Sequence, residues 1–263
     1  MQLFFGIDVI APWPEKFPGG RILEETERHM TLAFLGKVEE EKIMTLLLDF
    51  PKPDFKVGIV GKFDQCLFLP PRHPRVVAWN IQWLEESSQF DSFLANFFEW
   101  LEKNGFVAKQ KREFCPHVTL SRGSFIPKEW EKSFTPLPAM VTDIHLFESL
   151  GFSKYRSLWK YSLKAPFDEL EHTGDIAFIV RGESLLQLFQ HAQLAMAFPY
   201  PPILPFLSSK VSFNSLDEIV MELNTIVTQA DQEIGVPFKG VSFHGKITQE
   251  EDQTMCWEMI IDV

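Results

Sequence analysis

Two short stretches hold residue types that can do acid–base chemistry: HMTLAFLG, starting at His29, and HVTLSR, starting at His117. Each sets a histidine two residues before a threonine and follows the threonine with leucine. Side chains alternate faces along a strand, so His29, Thr31 and Ala33 share one side while Met30, Leu32 and Phe34 share the other. The same parity groups His117, Thr119 and Ser121 opposite Val118 and Leu120. Laid side by side, two such strands line a cleft with two imidazoles and two hydroxyls.

That set suits hydrolysis of a cyclic phosphodiester. A base must take a proton from water on one side of phosphorus, and an acid must protonate the leaving oxygen on the other. An imidazole with a pKa near 6.5 fills either role around neutral pH. The hydroxyls of Thr31 and Thr119 can donate to the non-bridging oxygens as charge develops there. Nothing in this chemistry requires a metal. A metal centre built on these histidines would want a third ligand at HxH or HxxE spacing, and neither motif has one. A single His-x-Thr is most often an ordinary strand; the duplication gives the pair its weight.

The elements that must position these strands are readable in outline. LFFGIDV, MTLAFLG, FKVGIVGKF, RVVAWNIQW, HVTLSR, VTDIHLFESL and WKYSL have the β-branched and aromatic content of strands. Phe90, Phe93, Leu94, Phe97, Phe98 and Leu101 recur at helical spacing, predicting a helix over 88–104 closed by Gly105. A second helix is expected over 39–49. Strands and helices mixed at short spacing predict an α+β fold.

HMTLAFLG and PHVTLSR, with the opening LFFGIDV and the later HLFESLGFSKYRSLWKYSL, resemble the two-histidine (2H) phosphoesterases. Within them the chain is most similar to the RNA 2′,3′-cyclic phosphodiesterases, also called 2′-5′ RNA ligases, over about residues 1–163. The resemblance implies a bilobal α+β domain of two antiparallel sheets related by a pseudo-two-fold axis. It implies that an RNA end or nucleotide with a 2′,3′-cyclic phosphate is opened to a 2′-phosphate without a cofactor. It also implies that His117 activates water and His29 protonates the 3′ leaving oxygen, an assignment that the residues alone leave open. Arg122 stands where the family often has a phosphate contact. Strand parity turns position 122 away from His117, unless a bulge or the strand's end turns it back. Lys103, Lys109, Lys111 and Arg112 form a basic cluster that could guide an RNA backbone or simply solvate a helix end. A 2′-5′ ligase and a non-catalytic binder of cyclic-phosphate ends remain as alternatives.

Charge divides the chain. Of 25 Lys+Arg and 36 Asp+Glu in 263 residues, residues 1–166 hold 21 of each sign, so the net −11 belongs to the remainder. An acidic face repels nucleic acid, which points the second part toward a protein or a cation. Proline in SLKAPF marks the seam, giving expected domains 1–165 and 166–263. Beyond it, ESLLQLFQHAQLAMAF and SLDEIVMELNTIVTQADQE read as helices, with Ser184 and Gln187, and Ser215 and Glu218, at capping-box spacing. FPYPPILPF between them reads as an irregular connection, and VPFKGVSFHGKI with CWEMIIDV as a closing hairpin.

EHTGD at 171–175, GESLLQLFQHAQLAM, PFKGVSFHG and the final IIDV resemble archease, a small acidic activator of the tRNA-splicing RNA ligase. The resemblance implies a small α+β archease-like domain, a ligase partner, and a calcium or magnesium ion held by Asp175, Asp262 and the Val263 carboxylate, oxygen donors that suit a hard cation. Gly174 and Gly240 stand where that family has alanine, and strands expected after the second helix are missing. Without the resemblance, Asp175 reads as a turn residue and Asp262 as a tail charge, and His172 and His244 as structural histidines.

Three scattered cysteines, Cys66, Cys115 and Cys256, form no CxxC pair and so predict neither a disulfide framework nor a zinc site. The apolar start carries Asp8 and lacks a basic leader, so it reads as a buried strand rather than a signal peptide. No stretch is long and apolar enough to span a membrane. These features together predict a cytoplasmic protein.

Overall fold

The computed structural model describes residues 1–84, 88–106, 114–243 and 245–263, and among these lie two sheets and five α-helices. The first sheet holds β1 (Gln2–Ile10), β2 (Arg21–Ile22), β3 (His29–Lys37), β4 (Ile59–Leu69), β5 (Val76–Trp83), β6 (His117–Arg122), β7 (Leu137–Gly151) and β8 (Lys154–Tyr161). Its strands pair antiparallel in the order β1-β3-β6-β5-β4-β7-β8, and β1 also pairs with β7. Backbone pairing therefore runs round a closed ring. The expectation of two separate antiparallel sheets is corrected by the long strand β7. Its first part pairs with β4 (Val60↔Met140) and its second with β8 (Ile144↔Tyr161), while β1 pairs along both parts. A strand shared in this way joins the two halves into one hydrogen-bonded sheet.

The ring is thinnest between β3 and β6, which meet at the single antiparallel pair Met30↔Val118. Core residues fix this junction, since Met30, Leu32, Val118 and Leu120 are all fully buried. α2 (Ser88–Lys103) packs its Phe90, Phe93, Phe97 and Leu101 into the same core, as their spacing predicts. The 39–49 segment is helical over α1 (Glu40–Leu46) and tightens to a 3₁₀ turn over Leu47–Asp49. α3 (Pro127–Ser133) begins with proline, which costs nothing where the N–H would be unpaired.

The second sheet is β11-β13-β10-β9, from β9 (Phe167–Leu170), β10 (Ile176–Gly182), β11 (Gly240–Val241) and β13 (Met255–Asp262), with β12 (Thr248–Gln249) paired to β13. The closing hairpin is accordingly shorter than its sequence suggests. α4 (Leu185–Ala197) and α5 (Leu216–Ile234) are capped as expected: Ser184 Oγ accepts from Gln187 N and Ser215 Oγ from Glu218 N. Each cap contributes about 1 kcal/mol. The proline-rich connection is ordered as a 3₁₀ helix over Pro201–Phe206. Val60 and Met140 of the first sheet pack into the core of the second unit, and Lys164 pairs with Glu250 and, at 2.7 Å, with Asp252. Among the described residues, no helix is long and apolar enough to cross a membrane.

Candidate active site

The Met30↔Val118 pair sets the geometry of both motifs. Each of these residues follows its motif's histidine, and the strands are antiparallel, so a local two-fold passes through the pair. The register then sets His29 across from Thr119 and Thr31 across from His117. All four side chains leave the face opposite the buried Met30 and Val118, and all four are only partly buried.

Both imidazoles are held in the same way. His29 Nδ1 lies 3.0 Å from the Glu27 carbonyl, and His117 Nδ1 lies 2.8 Å from the Cys115 carbonyl. A carbonyl can only accept, so in each ring Nδ1 donates and Nε2 is left as the atom available for catalysis. His29, Thr31, Thr119 and Arg122 line one cavity of about 470 Å3. His117 is not part of that wall and joins the group through the strand register.

Two bulges complete the cavity, and both overturn simple alternation. Phe5 pairs with Ala33 and Gly6 with Thr31, so Leu32 lies in a β1–β3 register shift. Ala33 is thereby buried, and Phe34 emerges 64% exposed into the cavity wall, the reverse of the parity reading. In β6, Ser121 pairs with Val77 and Thr119 with Ala78, which leaves Leu120 as the extra residue. Ser121 is consequently fully buried instead of standing with His117. Arg122 is turned into the cavity, and among the described residues its buried Nε has no hydrogen-bond partner.

His29 has a second set of neighbours that no local pattern announces. Its ring lies 5.0 Å from Phe4, 5.4 Å from Phe147 and, edge-on, 4.9 Å from Tyr155, measured between centroids. Burial pushes its pKa down to about 4, aided by Arg122 and His145 and opposed by the Glu27 carbonyl and Asp8. Asp8 is its cross-strand partner on β1. The Asp8 carboxylate in turn lies 3.0 Å from His145 Nε2, and His145 Nδ1 lies 2.8 Å from Ser157 Oγ. Asp8, Asp143 and His145 bring three donor atoms within 4.8 Å of one another. Asp8 is hydrogen-bonded to His145, and Asp143 pairs with Lys160 at 2.9 Å, so two of these donors already have partners.

Arg21, on β2, is the cross-strand neighbour of Arg122 and also lines the cavity. Lys103 of the basic cluster pairs with Glu99 at 2.7 Å, and Lys109, Lys111 and Arg112 lie outside the described residues.

In the second unit, Ile176↔Ile261 is the last pair of the β10–β13 ladder. Asp175 and Asp262 follow it on opposite strands at one sheet end. Asp262 accepts from Ser242 Oγ at 3.2 Å, and the Asp175 carboxylate lies 3.8 Å from His172 Nδ1. A Val263 terminal oxygen accepts from Lys239 Nζ at 2.5 Å. The Val263 oxygen of the expected set therefore already faces an ammonium. His244 lies outside the described residues.

No family model matches the chain. Three curated proteins named RNA 2′,3′-cyclic phosphodiesterase align with it. The one from Methanocaldococcus jannaschii is 32% identical over 169 residues, covering 60% of this chain and 91% of that protein. Those from Thermotoga maritima and Archaeoglobus fulgidus are 28% and 29% identical over 145 and 137 residues. They cover 50% and 46% of this chain, and 71% and 72% of the relatives. Among solved structures, E. coli LigT complexed with 3′-AMP is 24% identical with a TM-score of 0.45, covering 62% of this chain and 97% of that one.

Proposed function

The chain belongs to the RNA 2′,3′-cyclic phosphodiesterase family, and on that premise we propose that residues 1–165 hydrolyse a terminal 2′,3′-cyclic phosphate of RNA or a nucleotide to a 2′-phosphate. The observation that carries this reading is the antiparallel Met30↔Val118 pair, which sets the two His-x-Thr motifs side by side with their histidines running in opposite directions.

The chemistry follows from that pairing. The cyclic phosphate lies between the strands, its non-bridging oxygens accepting from Thr31 and Thr119 with the Arg122 guanidinium beside them. His117 Nε2 takes a proton from water as the water oxygen bonds to phosphorus. The P–O3′ bond breaks, and His29 Nε2–H delivers its proton to the 3′ oxygen. One water is consumed, one ester bond is lost, and the 2′-phosphate leaves. His29 is neutral in the free protein at pH 7, with its pKa pushed down to about 4 by burial. In this scheme the proton is taken up with the substrate, whose negative charge stabilises the imidazolium. The aromatic casing then makes the same proton easy to give away.

The decisive assay measures release of 2′-nucleotide from a 2′,3′-cyclic nucleotide in the presence of chelator. Turnover by the full chain that is lost in His29→Ala and His117→Ala supports the hydrolase. Turnover retained in both variants rejects the site. Tight binding of cyclic nucleotide without any turnover would instead favour a binding adaptor, and joining of 2′-phosphate and 5′-hydroxyl ends would favour a 2′-5′ ligase.

For residues 166–263 the proposal is an archease-like domain assisting a tRNA-splicing RNA ligase, with calcium or magnesium at Asp175 and Asp262. Support comes from the sequence resemblance, the acidic charge and the position of the two aspartates across one ladder end. Isothermal titration of the full chain with calcium tests the cation, because Asp175→Ala should abolish any heat of binding. Copurification with the ligase tests the partner.

A further inference from the structure

We infer that the Phe152 ring, at the tip of the β7–β8 hairpin, stacks on the nucleobase of the nucleotide whose cyclic phosphate lies at the histidines. The inference rests on the cyclic-nucleotide reading of the cavity and names how that cavity distinguishes a nucleotide from a bare sugar phosphate.

The hairpin closes through Gly151↔Lys154, leaving Phe152 and Ser153 as a two-residue loop. Their φ angles are 52° and 62°. Both central residues of such a turn need positive φ, which asparagine and glycine supply at little cost and a bulky side chain does not. A phenylalanine held there is strained, and strain of this kind persists only where surrounding structure enforces it.

That enforcement is visible. Arg21 Nη1 donates to the Phe152 carbonyl at 2.7 Å and Arg21 Nη2 to Ser153 Oγ at 3.1 Å. Beside them, Lys154 Nζ lies 2.5 Å from Glu27 Oε1. Glu27 is the residue whose carbonyl holds His29 Nδ1, so the hairpin and the catalytic ring are fastened to the same short segment.

The result is a phenylalanine that is 91% exposed yet lines the 470 Å3 cavity with His29, Thr31 and Arg122. A cavity of this size lies within the range that takes one small-molecule ligand such as a nucleotide. Among the described residues, no aromatic ring packs against it. Aromatic stacking needs a π face and no particular hydrogen-bond pattern, so such a platform takes any base. Arg21 and Arg122, adjacent across β2 and β6, bring cationic charge to the same wall, and none of the described residues lining the cavity is a carboxylate, which suits an anionic ligand.

Phe152→Asn separates stacking from turn geometry, because asparagine accepts positive φ while offering no aromatic ring. The variant should be at least as stable as the wild type, yet bind a 2′-nucleotide more weakly by roughly 5- to 150-fold in titration calorimetry. Its KM for a 2′,3′-cyclic nucleotide should rise with kcat nearly unchanged, and Phe152→Trp should restore binding. A base-free ribose 2,3-cyclic phosphate should be treated alike by wild type and variant. Equal nucleotide affinity for wild type and Phe152→Asn would overturn the stacking role. Wild-type binding that depends on Phe152 but yields no turnover would leave stacking intact and sink the hydrolase reading alone.

Discussion

His29 is encased by Phe4, Phe147 and Tyr155, whereas His117, among the described residues, has no aromatic ring against it. Both rings make the same bond to the carbonyl two residues before them, and both stand one residue before a member of the Met30↔Val118 pair. The motif therefore dictates orientation equally on both strands, and the surrounding chain differentiates the two rings afterwards. A two-fold arrangement suits in-line displacement, which is roughly symmetric about phosphorus. The reaction itself is asymmetric, because one ring must release a proton while the other takes one, and the unequal surroundings can supply that difference.

The largest expected effect tests what the two strands share. His29→Ala and His117→Ala should each lower kcat by roughly 10²- to 10⁴-fold, the scale of acid–base catalysis by a positioned side chain. A variant that loses only a fewfold would show its ring to be a spectator. Next in size are Thr31→Val and Thr119→Val, which remove one donor to the phosphate while keeping the side-chain volume. Each should cost about 10²-fold in kcat. The two-fold requires comparable losses, so a large loss in one and none in the other would break the symmetry argument.

Period-two alternation located both strands because Met30, Leu32, Val118 and Leu120 face the core as that pattern requires. It failed at Ala33 and Phe34, and again at Ser121 and Arg122, for one reason. The bulges at Leu32 and Leu120 arise from pairing with β1 and β5, and one extra residue inverts the parity beyond it. Arg122 was a candidate by family likeness, yet only the bulge explains how it reaches the cavity. Arg21 and Phe152 are 131 residues apart in sequence, and no local spacing announces their contact. The joining of the first unit's two halves was also hidden, because β7 reads as one ordinary strand until its two partners are seen. In the second unit, the capping serines fixed both helix starts, since a cap is a local event.

A smaller effect sharpens the contrast between the rings. The fold holds His29 neutral, with a pKa pushed down from 6.5 to about 4, so its share of stability is complete above pH 6.5 and declines toward pH 4. The neighbouring charges act in opposite directions on that value. Arg122 disfavours the imidazolium, so Arg122→Gln should move the His29 titration upward. Asp8 favours it, so Asp8→Asn should move the titration further down. NMR titration of the His29 ring in the free protein reads both changes. Shifts of the same sign in the two variants would mean that altered burial, and not these charges, controls the ring.

The smallest effect concerns the room behind His29. Gly6 lies in β1 across from Thr31, and a Cβ there would come within 3.1 Å of His29 Cδ2 and 3.2 Å of Phe147. Gly6→Ala must therefore displace the imidazole by tenths of an ångström or push Phe147 aside. Overpacking of this kind costs about 1–3 kcal/mol. If the aromatic casing sets the His29 ring for proton transfer, kcat should fall by less than about tenfold along with the Tm, and the His29 Nδ1 resonance should shift as its bond to Glu27 lengthens. The His117 resonance should stay where it is. A variant with lowered Tm but wild-type kcat would assign the casing to core packing alone, and the functional difference between the two strands would then have to come from His117.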